Sequence, residues 1–538
     1  MAPVENAKSN SLPIAIFGGQ IVLVTALTAN VLVQARRAAK SLPPSTRTRS
    51  QNSTRRRNAV IFSLLAAASL AAVSSFAFIW RAISYIRWAE NRHYATPNSI
   101  LGGWSATGTE ARWHLGDWIS DIDLVREFDS VGIMKPEGFL YTSQYFVGLL
   151  AAAIFMGAEG RRRNLSTPTI ASFVLLCSLG SLGFSLSLFF VTILYTPTTV
   201  RRDDSPKHDA FFTPSPIVYD LGIVASLVTL NSFPELISEY GDKSMLRLSY
   251  LAMPLFFAFA PQIVPVSLGH QHTSKAAAHR SYAKVFYVLS LASLLLYWRV
   301  FVTTIFVYTP SKHTHVWDLL HNSHGKNTSN RLLSGISIAG QRLKVISKHP
   351  AISVTSLDVL FSIIALLTWT FTRDLDVDYL LESSVFSFLA PKHEKHVAFK
   401  QDLTRLMETE PPAPVEPTTP RKRGRPSKSA AASVNGASAV ASAVSGSLRR
   451  SSRRKAGSGD FDAEPLARRN GEDSDGDSTY QPSEDTRRAV AETEADGAMV
   501  DGDVVHAGES TALALFLAMI GGVGQLASAV LGAEVTGP

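Results

Sequence analysis

Long apolar runs alternate with short polar ones along the first 372 residues, on the length scale of a bilayer rather than of a globular core. Eight segments of roughly 17 to 26 residues follow this pattern: Leu12–Gln34, Ala59–Trp80, Phe139–Ala158, Ile170–Tyr195, Ile217–Phe233, Leu248–Leu268, Val285–Val307 and Ala351–Phe371. A ninth lies at Thr511–Leu531. Each is close to the ~20 residues a helix needs to cross the hydrocarbon core. Water is absent there, so backbone N–H and C=O groups must pair within the segment, and the helix does this. The pattern predicts an all-α polytopic transmembrane helix bundle over residues 1–372, with seven or eight spans. A polar tail follows over 373–510, and one hydrophobic helix closes the chain at 511–531. The first segment reads as an anchor and not as a secretory leader, because its apolar run is too long and its basic residues follow it.

Charge orients the first spans. Ala35–Asn58 carries eight bases and no acid, and EGRRRN at Glu159–Asn164 is again basic. Both are cytosolic by the positive-inside rule. The loop 81–138 between segments two and three is then luminal.

Further along, the signs conflict. Eight crossings would put the tail in the lumen, whereas seven would put it in the cytosol. Segment five is the doubtful span, being short, carrying Asp220 and stopping at Pro234; a charge at mid-bilayer costs ~2.5–3.5 kcal/mol on insertion scales. The sequence favours seven spans and a cytosolic tail. FVTILYTP at Phe190–Pro197 recurs as FVTTIFVYTP at Phe301–Pro310, and parallel repeats share an orientation, which seven spans allow. The cost is Ser311–Pro350, six bases against Asp318, which would then be luminal.

From Glu408 the composition changes. Pro-rich and Ala/Ser-rich stretches are too poor in large apolar residues to bury a core, so the tail is expected to be disordered. Arg421–Lys455 holds ten bases and no acid, and Asp460–Asp503 fourteen acids and four bases, giving adjacent blocks 421–455 and 460–503 of net +10 and −10. Within the basic block, PRKRGRPSK contains Arg423, Gly424, Arg425 and Pro426. This core resembles the AT-hook. The resemblance implies that the two arginines enter the narrow minor groove of A·T-rich DNA, with glycine allowing close approach and proline holding the strand extended. An anionic membrane surface suits the same charges, as do a nuclear-import signal and a solvated run with no partner.

Few residues in the body carry chemistry. Asp220, Arg299 and Asp358 are the intramembrane charges, and such groups ordinarily face the interior and pair. A pair between Arg299 and either aspartate is expected, as a transport path or as a structural contact. The only cysteine, Cys177, excludes an intramolecular disulfide and a Cys-based zinc site. His270, His272 and His279 fall in one loop and His313, His315, His321 and His324 in another, on opposite faces of segment seven; neither forms a metal box. Asp121-x-Asp123 lies in an amphipathic stretch, Trp113–Asp129, expected to rest on the bilayer surface. Gly522-x-Gly524-x-x-Ala527 follows no strand, so close helix packing explains it better than a dinucleotide. No catalytic residue, metal site or cofactor is assigned.

WHLGDW, SKAAAHRSYAKVFY and SKHPAISVTSLDVLF, between Trp113 and Asp376, are similar to segments of multi-span membrane proteins of filamentous fungi, a resemblance that brings no activity with it. The function expected is a non-enzymatic membrane protein whose tail recruits a partner, in an endomembrane, the endoplasmic reticulum or the nuclear envelope ahead of the plasma membrane as the alternative. The alternatives are a small-solute or ion-coupled transporter using the Asp/Arg charges, and a membrane-embedded lipid-modifying enzyme. The lipid bilayer is the one partner that composition itself requires. The oligomeric state is not legible.

Overall fold

The computed structural model describes residues 11–41, 52–96, 113–196, 212–240, 244–272, 275–308, 326–390 and 504–537. These form an all-α polytopic bundle. Its long helices are α1 (Ser11–Ser41), α2 (Asn52–Asn91), α5 (Pro136–Arg162), α8 (Pro216–Tyr240), α9 (Ser244–Ile263), α10 (Lys275–Tyr308), α11 (Lys326–Ile346), α12 (Pro350–Arg373) and α14 (Val504–Thr536). Between them lie the short helices α3 (Leu115–Asp121), α4 (Leu124–Gly132), α6 (Thr167–Leu179), α7 (Leu182–Tyr195) and α13 (Val377–Glu382), and a two-stranded antiparallel ribbon of β1 (Phe212–Pro214) and β2 (Gly269–Gln271). Among the described residues, seven helices are long and apolar enough to cross a membrane: α1, α2, α5, α8, α10, α12 and α14.

The core is centred on α5, whose residues from Phe146 to Ala158 are almost all buried. Lipid tails are as apolar as leucine, so close packing and polar contacts hold such a bundle together more than the hydrophobic effect does. Phe190 stacks on Trp369 (ring centroids 4.2 Å) and Phe62 meets both rings edge-on. The alanine at 258 brings α9 backbone directly onto Gly157, where a side chain would not fit.

Side-chain contacts fix the directions of the helices. The C-terminus of α5, bearing Arg161–Arg163, defines one end of the bundle, the arginine end. Helix α14 runs parallel to α5: Gly522 lies on Gln144, Gly524 on Val147, and Arg162 donates to the Val535 carbonyl (2.7 Å). Helix α10 is antiparallel to α14, because Phe286 lies against Gly532 and Leu294 against Gly521. Helix α12 ends at the arginine end, where Arg373 meets Glu534.

Three sequence expectations change here. Segment four is not a span. Ser185 Oγ donates to the Phe173 carbonyl (2.7 Å) and Phe173 meets Phe189 edge-on at 4.9 Å, so α6 and α7 fold back on one another as a hairpin. It enters from the arginine end, turns at Gly180–Ser181 and returns to that end, where Arg163 holds the Ile193 and Thr196 carbonyls. Segment five is the reverse case: α8 is long enough to cross, Pro234 sits inside the helix, and Asp220 lies in its first turns and not at mid-depth. The recurring FVT motifs consequently run in opposite directions, on α7 towards the arginine end and on α10 away from it.

The boundary at 373 also moves. After α12 the chain turns back beside α14. Ser383 lies against Gly532, the Val385 N–H donates to Ser290 Oγ (2.9 Å), and Phe386 packs on Phe516 (centroids 6.1 Å). The body therefore extends to Ala390, and counting spans up to α12 does not fix the side on which residues 391–503 begin. Helix α14 is no appendage; Leu526, Ala527, Ala529, Val530 and Leu531 are fully buried.

Candidate functional site at a broken membrane helix

The turn of the α6–α7 hairpin is built from GSLG, Gly180–Gly183. Ser181, in extended conformation, is the N-cap of α7 and accepts from the Phe184 N–H (3.2 Å). A helix that starts inside a bilayer has further orphan N–H groups and the positive end of its dipole there. Asp358 of α12 meets them. Its Oδ1 accepts from Ser181 Oγ (2.7 Å) and the Gly183 N–H (2.8 Å), and its Oδ2 from the Leu182 N–H (2.8 Å). Ser69 of α2 is 3.0 Å from Ser181 Oγ. On the other arm, Tyr145 donates its hydroxyl to the Cys177 carbonyl (2.5 Å) and Gly180 and Ser181 donate to the Leu176 carbonyl (3.0 Å each).

Asp358 is 3% exposed. A carboxylate taken out of water loses several kcal/mol, and hydrogen bonds to a charged group return ~1.5–3 kcal/mol each. Three of them, with the half-helix dipole, offset much of that cost. Asp358 thus acts as a cap supplied from another helix, joining α12, α2 and the hairpin.

The expected pair with Arg299 does not form. Arg299 is exposed on α10 beside Trp298, and Asp358 has its donors on the hairpin. Asp220 is half-buried on α8, feels the charge of Lys284, and its Oδ1 has no hydrogen-bond partner on the protein. The structure does not bring the three charges together.

A second polar cluster, which sequence reasoning passed over, lies at the arginine end. Glu159, buried on α5, binds Arg162 (2.8 Å) and Arg163 (3.1 Å). Those arginines cap the C-termini of α14 and α7. Glu534 of α14 binds Arg373 (2.9 Å) and accepts from Trp369 Nε1 (3.2 Å). The only signal in the sequence was an acid, Glu159, one glycine ahead of the three arginines, which the charge rule reads as topology alone.

In the 113–133 region, Trp118 is 2% exposed, packed on Tyr85 and Trp88 of α2 with Ile122 beside it, so this part of the apolar face rests on protein, whereas Val125 is exposed. Asp121 binds Arg92 (2.8 Å) and Trp88 Nε1 (3.1 Å), Asp123 caps α4, and Glu127 accepts from Ser84 (2.7 Å) and Trp80 (3.3 Å). Each acid is engaged with protein groups. His272 bonds Thr213 (2.7 Å) in the ribbon, its pKa lowered by burial and by His270. Among the described residues no three His, Cys, Asp or Glu converge to hold a metal. Gly524 and Ala527 pack closely, as the sequence indicated. Arg423, Gly424, Arg425, Pro426 and the histidines at 313–324 lie outside the described residues.

These features define an all-α integral membrane protein with a re-entrant hairpin in its core. Compared with known proteins, the chain matches no family model, no curated protein and no solved structure.

Proposed function

We propose that the protein is a non-enzymatic membrane anchor that presents residues 391–503 to a partner. The observation that supports this reading is the treatment of that segment's flanks. The residues before it, Ser383–Phe386, and the helix after it, α14, are packed against each other. The two described elements that flank residues 391–503 thus belong to one body. Its basic block, with Arg423 and Arg425, suits a polyanion, for which A·T-rich duplex DNA in a nuclear-envelope setting is the first choice and an anionic lipid surface the second.

The test uses the full-length protein in nanodiscs of neutral lipid, titrated with A·T-rich and G·C-rich duplexes at several salt concentrations. Preferential A·T binding that weakens steeply with salt, and is lost in Arg423→Ala/Arg425→Ala, is expected. No binding at low salt removes the nucleic-acid reading. Transport is a second reading, favoured by the broken α6–α7 hairpin with a buried acid at its tip, a device transporters use. Solute flux in proteoliposomes that is unchanged in Asp358→Asn would reject it.

A further inference from the structure

Helix α14 is interrupted at Gly522, whose φ of 70° and ψ of −160° lie outside the helical region. That conformation is essentially confined to glycine, and a Cβ there would collide with Gln144 Oε1. A break of this kind frees backbone groups that an unbroken ladder would pair. Three helices meet at it. Gln144 comes from α5, Ser290 and Ser293 from α10, and Gln525 from the far side of the break, folded against Gly521. Gln525 Oε1 accepts from Ser290 Oγ (2.6 Å), which accepts in turn from the Val385 N–H. Two buried amide atoms here are without protein partners: Gln144 Oε1, an acceptor, and Gln525 Nε2, a donor. The two residues are 5% and 0% exposed.

A buried polar atom left unpaired costs ~1–3 kcal/mol, and two at one helix break describe a site for something that both gives and takes hydrogen bonds. Its polar side chains are uncharged amides and hydroxyls, which disfavours an ion. We infer that the break in α14 binds a small uncharged hydroxyl-bearing molecule between Gln144 and Gln525, water being the smallest of the class. The inference is independent of the role proposed for residues 391–503.

The sign of one substitution decides it. Methionine has the length and flexibility of glutamine without its polar atoms, so Gln144→Met removes the acceptor and keeps the packing. If the site is dry, the variant loses an unpaired polar group and unfolds at the same or a higher temperature. If a molecule is bound, the variant loses a hydrogen bond and its Tm in nanodiscs falls by roughly 2–4 °C. The fall is expected, and an unchanged or raised Tm overturns the proposal. Glycerol separates the two sources. A saturable rise in wild-type Tm that Gln144→Met abolishes identifies a polyol-sized occupant, and no rise together with a lowered variant Tm identifies water. Should Gln144→Met fold poorly, Gln144→Asn serves: it keeps an uncharged amide acceptor one methylene shorter, and with a molecule bound it retains more stability than Gln144→Leu. Equal loss in both also overturns the proposal.

Discussion

Asp358 and Gly183 are 175 positions apart, and a 2.8 Å hydrogen bond from the Gly183 backbone to the Asp358 carboxylate closes the tip of a hairpin that the membrane interior cannot otherwise contain. Such a bond makes one side chain responsible for a backbone segment. Asp358→Ala strands the Leu182 and Gly183 N–H groups, while the Ser181 hydroxyl keeps Ser69 as a partner, and a loss on the order of 2–5 kcal/mol is expected from the two unpaired donors. Asp358→Asn keeps one acceptor but turns an NH₂ towards a donor, so its loss is intermediate. Cys177, 1% exposed and one turn before the tip, is the reporter. A small maleimide should leave it unlabelled in wild-type membranes and label it in Asp358→Ala. Equal protection in both would show that the hairpin holds without the carboxylate.

The helical class and most of the long helices were legible because twenty-residue apolar runs admit little else in lipid. The hairpin was not. Ile170–Tyr195 is apolar throughout, and the break depends on Gly180 and Ser181 meeting a carboxylate from α12, a contact no local pattern contains. Its length was the usable clue, since 26 residues exceed one crossing while Ser181 could cap a restart. Asp220 misled for a related reason: its depth follows from where α8 begins, and the hydropathy of the run is blind to that. Of the three intramembrane charges named together, Asp358 is the one that is fully buried and hydrogen-bonded. Its partner was missed, because the rule that charges pair with charges overlooks backbone N–H groups at a helix end.

Arg373 and Glu534 test how α12 and α14 are fastened. Glu534 is 4% exposed on its side chain and Arg373 31%. Removing the arginine leaves a buried carboxylate with Trp369 Nε1 as its neighbour. Breaking a fully buried pair costs ~3–5 kcal/mol, and partial exposure of Arg373 reduces this, so a loss of about 2–3 kcal/mol is expected for Arg373→Leu. The double variant Arg373→Leu/Glu534→Leu should recover most of it, because the lone charge is gone. A double-mutant cycle on Tm checks this; additive losses would mean that the pair is not coupled.

His349 predicts a pH dependence. It precedes α12 at the end opposite the arginines, where burial, the first cause, and the charges of Arg87 and Lys135 lower its pKa from 6.5 against an opposing pull from Glu127. A histidine whose folded pKa lies below its unfolded value binds fewer protons when folded. Its contribution is complete above pH ~6.5 and is lost as the pH falls below that value, levelling off beneath the lowered pKa. His349→Gln should flatten the Tm profile as the pH falls below about 6.5. An unchanged slope would assign the acid sensitivity to other groups.

The placement of the helix ends gives the sharpest test of topology, since packing and charge disagree on one loop. Contacts put Asn164, after α5, and Gly537, after α14, at the same end, together with the start of α10. They put Lys348, ahead of α12, at the other end, beside the groups that act on His349, and Glu90 beyond the Trp80–Glu127 contact with it. Charge alone would send Ser311–Pro350 to the same side as Arg161–Arg163, since both are basic. A helix cannot satisfy that wish while Arg373 at its other end is bonded to Glu534, and the interior contacts of α12 with the hairpin are worth more than a loop-charge preference. Single cysteines at 90, 164, 348 and 537, in a Cys177→Ser background, should therefore label with an impermeant maleimide in two groups, 164 with 537 and 90 with 348, from opposite faces of sealed vesicles. Co-labelling of 348 with 164 would break the assignment of α12 as a complete crossing, and with it the position of Asp358 at the hairpin tip.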